Sequence, residues 1–284
     1  MKKNLDYHVH PGFSIDAEPC SIDEYCRQAL AAGVDEICFT PHLEVDPVRR
    51  HRDWFVRMNG ERHPMNDLRW LNRYFAEIDR ARYRYASTGP VIKAGLEVGF
   101  DRGLERTIEN ITTAFPFDFV LGSVHCLEHH AISSWEESRA YFPTRTLAQV
   151  TREYFTTLDE AVQSRLFDCI GHLDLYCRYG HRFFGPAVFS AYRGQVEPIF
   201  KQMALCGTGL EINTSSLRRG LQDFHPAREI LILARDQGIR TFTVGSDAHR
   251  PADLGDHTVA ALDLLHNLHL QAAIFSARRP VAAV

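Results

Sequence analysis

Two histidines one residue apart, His8 and His10, stand in DYHVHPGFSIDAE, and the same spacing recurs far along the chain as Asp247 and His249 in VGSDAHRP. Imidazole nitrogens and carboxylate oxygens bind divalent transition metals, and side chains at i and i+2 leave the same side of a strand. One such pair among 15 histidines carries little weight. Further residues of the same kinds follow: Asp16, His42 in TPHLE, Glu97 in AGLEVG, His125 in GSVHCL and His172 in IGHLDL. Each alone is explained as a cap or a hydrogen-bonded turn residue. The weight therefore falls on whether the fold brings them together.

Short β-rich runs alternate with longer amphipathic ones. Strands are expected over 5–10, 34–40, 91–99, 117–125, 167–172, 209–214 and 240–247. Helices are expected from Ser21, where Ser21 and Glu24 form a capping box and Gly33 a stop, and then over 66–85, 102–115 and 145–164. Three more are expected: 186–206, kinked or split by Gly194 and Pro198, then 226–238, and finally 257–266. Sequential parallel strands need helical crossovers, so seven such alternations argue a parallel sheet closed into a barrel, with an open doubly wound sheet as the rival. In either fold the loops after the strands gather on one face. His8 and His10 end the first strand and His42 follows the second. Glu97 lies late in the third, His125 and His172 end the fourth and fifth, and Asp247 and His249 follow the seventh. Six histidines and three carboxylates thus converge, whereas His51, His63, His129, His130, His181, His225, His257, His266 and His269 fall in mid-loop or helical stretches and read as ordinary residues.

With 284 residues, 45% hydrophobic and 24% charged, the chain suffices for one large domain spanning 1–284. A net charge of −4 gives no general attraction to nucleic acid or anionic membrane. The seven cysteines form no Cys-x-x-Cys pair, and several lie in apolar runs, so they read as reduced core thiols. Neither a signal peptide nor a membrane span is evident, which makes a cytoplasmic location the expectation.

DYHVHPGFSIDAE, TPHLE, AGLEVG, GSVHCL, IGHLDL, EINTSS and VGSDAHRP, in that order, resemble the PHP (polymerase and histidinol phosphatase) superfamily over nearly the whole chain. GHLDL, EINTSSLR and GSDAH resemble most its monofunctional histidinol-phosphatase branch. The resemblance implies a distorted (β/α)7 barrel with a trinuclear metal centre. Matched residue by residue, one metal takes His8, His10, Glu97 and Asp247; a second shares Glu97 and adds His125 and His172; a third takes Asp16, His42 and His249. Pro41 stands where the family often has an acid.

Imidazoles and carboxylates without clustered thiolates suit two to three ions of zinc, manganese or iron. Three divalent ions against three carboxylates leave a local positive excess that attracts a phosphate dianion. Bound metals would acidify a bridging water into a nucleophile and stabilise the leaving alkoxide. Arg178 and Arg218 resemble family arginines expected at the phosphate, a task that suits guanidinium forks. Asp174 reads as a proton donor or, in preference, as a partner that orients a ligand, and Glu211 and Asn213 as barrel supports. The expected activity is hydrolysis of L-histidinol phosphate to L-histidinol and phosphate, in histidine biosynthesis. Another small phosphoester or a nucleotide is the alternative substrate, and a metal-containing regulatory or binding domain is the non-enzyme alternative. A basic and aromatic loop at about 44–65 reads as a lid, a steering element or a mobile insertion. Its arginines beside Trp54 and Phe55 are the one feature that would suit single-stranded nucleic acid, which is not expected as a partner.

Overall fold

Seven parallel strands frame the computed structural model, which describes residues 3–282. They are β1 (Leu5–Val9), β2 (Glu36–Phe39), β3 (Val91–Gly99), β4 (Phe119–Ser123), β5 (Cys169–Ile170), β6 (Gly209–Asn213) and β7 (Phe242–Gly245). Each pairs with the next in chain order. The ring nearly closes where Val9, at the end of β1, bridges in parallel to Ala248, just past β7. There His10 N donates to the Ala248 carbonyl (2.8 Å) and Ala248 N to that of His8 (3.3 Å). Sequential order with closure is the barrel alternative and excludes the doubly wound one.

The barrel is distorted. β5 holds only two residues, and β2 stops at Phe39 before the chain pairs again with β3 through a short strand, His42–Glu44. Pro41 sits in that break, where no N–H is needed, and its carbonyl accepts from Glu97 N (3.1 Å). The break sets His42 directly beside Glu97 in register.

Helices wrap the sheet because each presents an apolar stripe at helical spacing. The helix Arg69–Tyr85 buries Trp70, Leu71, Tyr74, Ile78, Ala81 and Tyr85, and the Tyr74 hydroxyl donates to the Phe39 carbonyl (2.9 Å). The capping box at Ser21 and Glu24 is formed, with Gly33 left-handed at φ 66° after Ile22–Ala32. The expected helix over 186–206 is split: Gly185–Ser190 is a 3-10 turn, Gly194 turns the chain at φ 78°, and Val196–Cys206 follows with Pro198 in its first turn.

The 44–65 segment, expected to be a long loop, is mostly ordered secondary structure. A 3-10 turn, Pro47–Arg49, precedes a hairpin of Phe55–Met58 and Glu61–Pro64. Asn59 and Gly60 both take positive φ (52° and 82°), as a two-residue primed turn demands. Its cations are engaged internally: Arg62 stacks on Phe55 at 4.2 Å, and Arg57 Nε donates to the Ile15 carbonyl (3.1 Å) in the loop that carries Asp16. A second hairpin, Ala273–Ser276 with Arg279–Ala282, brings Phe275 against Tyr7 and Phe119 at the N-terminal end of the barrel. All seven cysteines are free, and among the described residues no helix is long and apolar enough to cross a membrane.

β1 can approach β6 and β7 this closely only because Gly245 has no side chain. A Cβ there would lie 2.3 Å from His8 Cβ and 2.7 Å from Glu211 Oε1. Gly245→Ala is expected to lower stability by about 1–3 kcal/mol through forced displacement of packed neighbours. Denaturant unfolding checks this, and an unchanged midpoint would show that the seam has slack.

Candidate metal centre

All nine residues singled out in the sequence come together at the C-terminal mouth of the barrel. Glu97 Oε2 lies 3.3 Å from His8 Nε2, 3.4 Å from His10 Nε2 and 2.9 Å from His42 Nδ1. Its other oxygen lies 3.2 Å from His125 Nε2 and 2.9 Å from His172 Nε2. Asp247 Oδ1 stands 3.8 Å from His8 Nε2 and 3.4 Å from His10 Nε2. Nearer solvent, Asp16 Oδ1 is 3.4 Å from His42 Nε2 and 3.2 Å from His249 Nε2. The nest is continuous, since the His10 ring lies 4.2 Å from that of His42 and 4.0 Å from that of His249.

Backbone conformation at two of these positions is unusual. His172 and Asp247 have φ of 24° and 55°, a region costly for residues with a Cβ and concentrated at functional sites. Here it turns both side chains toward the strand ends that carry the others.

A second tier fixes the rings. His8 Nδ1 bonds Glu211 (2.5 Å), His10 Nδ1 bonds the Ser14 hydroxyl (3.1 Å), and His125 Nδ1 bonds Glu44 (2.8 Å). His249 Nδ1 donates to the Asp247 carbonyl (3.0 Å). In each ring Nε2 is left facing the nest, which is how proteins orient metal-binding imidazoles. Glu211 is thus more than a barrel support, while Glu44 carried no recognisable signal because its partner comes from a distant strand, and Ser14 reaches His10 from only four residues on.

The electrostatics show what the nest lacks. Burial works against a charged His8 and a charged His42, yet Glu211, Glu97 and Asp247 raise the first well above the ordinary value, and Asp16 and Glu97 raise the second. Burial likewise opposes a charged His125, but Glu97 and Glu44 push it up to about 9. His10 is held well below by burial and by the His249 and His42 rings. Glu97 and Asp247 stay ionised against burial because His8 and its neighbours surround them. Buried carboxylates need positive charge. Divalent cations supply it with the imidazoles neutral.

Unsatisfied atoms agree. His8 Nε2, His10 Nε2, His42 Nδ1 and Glu97 Oε2 are buried with no hydrogen-bond partner. Donors 3.3–3.4 Å apart, as between Glu97, His8 and His10, match an edge of a tetrahedron whose metal bonds are about 2.0–2.1 Å. The residues present therefore fit divalent ions.

Above the nest lies a cleft of about 500 Å³. Arg178 lines it, buried, with Nη2 donating to Asp247 Oδ2 (3.1 Å) and Nε unpartnered. Arg218 is placed otherwise than expected: its guanidinium donates to the Ser246 and Asp247 carbonyls (2.7 and 3.2 Å) and pairs with Asp256, so it braces the backbone of β7's exit. The neighbouring Arg219 lines the cleft instead. Asp174 is buried outside the cleft lining and bonds His225 Nδ1 (2.6 Å), not a nest histidine. His225, read from sequence as ordinary, is fully enclosed, because β6 folds back on it through reciprocal backbone bonds with Asn213.

Imidazoles and carboxylates gathered under a polar cleft, on the mouth of a parallel α/β barrel, define the class: a metal-dependent barrel hydrolase. The PHP domain profile matches residues 6–215, and the chain belongs to that family. Probable histidinol-phosphatase of Deinococcus radiodurans is 34% identical over 232 residues, 82% of this chain and 81% of that protein. Histidinol-phosphatase of Lactococcus lactis subsp. lactis is 31% identical over 249 residues, 87% of this chain and 84% of that one. A crystal structure of histidinol phosphate phosphatase from Lactococcus lactis subsp. lactis, complexed with zinc, L-histidinol and phosphate, superposes with a TM-score of 0.76 at 26% identity, covering 98% of this chain and 99% of that chain.

The second tier generates a prediction. Glu211→Gln and Glu44→Gln should each weaken metal affinity roughly tenfold to a hundredfold, as lost outer partners do elsewhere. Competition against a chromophoric chelator measures it, and unaltered affinity in both variants would show that these carboxylates serve only the fold.

Proposed function

We propose that this chain is a metal-dependent phosphomonoesterase that hydrolyses L-histidinol phosphate to L-histidinol and inorganic phosphate, a step of histidine biosynthesis. One observation carries the reading: nine metal-type donors converge on a cleft that also holds a buried arginine with a free donor, in a chain whose Lactococcus relative was crystallised with zinc, L-histidinol and phosphate. His8, His10, Glu97 and Asp247 would hold one divalent ion, Glu97 with His125 and His172 a second, and Asp16, His42 and His249 a third. Zinc, manganese and iron all accept this donor set.

When bound, the ions neutralise phosphoryl charge and acidify water at neutral pH. The protein's own groups do the positioning. Arg178 already donates to Asp247 and Ser215, and its unpartnered Nε–H is available to a phosphoryl oxygen. Arg219 adds a second cation to the cleft lining, while Arg218 fixes the Ser246 and Asp247 carbonyls. Asp174 lies outside the cleft lining and holds the His225 ring.

The test is phosphate release from a panel of monoesters, on protein whose bound metals are measured by elemental analysis. L-histidinol phosphate should be turned over far faster than nucleoside monophosphates or p-nitrophenyl phosphate. Equal, slow hydrolysis of every ester would remove the substrate assignment and leave a general phosphoesterase. His172→Ala and Asp247→Ala should each cut kcat/KM by more than the roughly hundredfold expected from losing an outer partner, with a matching fall in metal content.

A further inference from the structure

Part of the cleft lining lies outside the nine converging residues and outside Arg178 and Arg219. The segment after β2 and the segment over 126–137 contribute Glu44, Arg49, Arg52, Asp53 and Glu137. Arg49 is saturated: its Nε donates to Asp53 Oδ2 (2.6 Å), Nη1 to Glu137 Oε2 (2.6 Å) and the His129 carbonyl (2.8 Å), and Nη2 to Glu137 Oε1 (3.0 Å). Glu44 is occupied by His125, and Glu137 also accepts from Ala131 N (2.9 Å). Asp53 differs. It is 8% exposed, one oxygen serves Arg49, and the other, Oδ1, is buried without any hydrogen-bond partner.

A buried carboxylate oxygen left bare is costly, and such groups persist where something else completes them. The charge of the wall says what kind of group. Three carboxylates stand against two arginines, a net negative charge, whereas Arg178 and Arg219 line the same cleft with positive charge. Burial, with Glu44 nearby, pushes the Asp53 carboxyl up to about 6 even though Arg49 holds its other oxygen. A neutral donor would satisfy the oxygen but leave the wall negative; an ammonium does both.

We propose that Asp53 receives the ammonium group of an amino-alcohol phosphoester, and that it thereby selects substrates carrying an amine beside the phosphorylated carbon. This rests on the phosphatase reading above and adds the residue that would enforce it. The cleft is then bipolar, anion-binding toward the nest and arginines and cation-binding at Asp53.

The test uses the metal-loaded protein and two esters, L-histidinol phosphate and 3-(imidazol-4-yl)propyl phosphate, which keeps the ring and phosphate but has no amino group. Wild-type protein should favour the amine-bearing ester by about tenfold to a hundredfold in kcat/KM, the range of a charge-assisted hydrogen bond. Asp53→Asn should erase most of that preference, chiefly through KM for L-histidinol phosphate, with the amine-free ester little changed and metal content retained. Wild-type protein that handles both esters alike overturns the inference without any variant and leaves the phosphatase reading standing. Equal losses on both esters in Asp53→Asn overturn it too, by showing a merely structural carboxylate. Hydrolysis of neither ester by wild-type protein removes the histidinol-phosphate reading and the inference together.

Discussion

Glu97 is a fully buried carboxylate whose two oxygens face five imidazoles, and most of the barrel's geometry can be understood as arranged around it. An ionised carboxylate at that depth is tolerable only when cations surround it. Four different stretches of chain, those carrying His8 with His10, His42, His125 and His172, therefore have to deliver positive charge or metal donors to one point. The break at Pro41, which pulls His42 into register with Glu97, is one response. The left-handed backbone at His172 and Asp247 is another, and Ser123, which donates to Glu97 Oε1 (2.7 Å), fixes the carboxylate from β4. The strain at these residues persists because the alternative is an uncompensated buried charge.

The surrounding tiers follow from the same demand. Rings that must present Nε2 inward need their Nδ1 atoms held, and Glu211, Ser14, Glu44 and the Asp247 carbonyl do this from four separate places. Arg218 in turn secures the Asp247 backbone, and the 55–64 hairpin secures the Asp16 loop through Arg57. Against a net charge of −4, Arg178 and Arg219 give the cleft above the nest local positive charge, and the field there is set within a few ångströms.

The barrel and the inner site were legible in the sequence for one reason: both obey rules of period and position. Alternating β and α patterns gave all seven strands, although the expected spans ran past the observed ends of most, because inter-strand pairing covers less than the apolar runs that signal it. Chemistry at strand ends picked out all nine converging residues. The support was not legible, since pairs such as Glu44 with His125 or Asp174 with His225 join residues far apart in sequence with no spacing rule. Arg218 and its neighbour Arg219 show the same limit: one residue along a short helix changes which guanidinium faces the cleft. The hairpin over 55–64 is a different case. Its Asn59-Gly60 turn is a usable hairpin signal, set among a density of arginines and aromatics that masks the strand alternation on either side.

The bridge between Val9 and Ala248 also bears on how the molecule reaches its final form. It joins the first strand to the segment past the last, so the loop it closes embraces nearly the whole barrel, and such contacts come late because their entropy cost must be met before they contribute. His8 and His10 lie on one side of this bridge, Asp247 and His249 on the other. An incomplete barrel consequently has no full set of donors to offer, and the arrival of the last strand is what gathers the scattered histidines into one nest. A divalent ion held there would act as a clasp on the seam, and its capture would report that the barrel has closed.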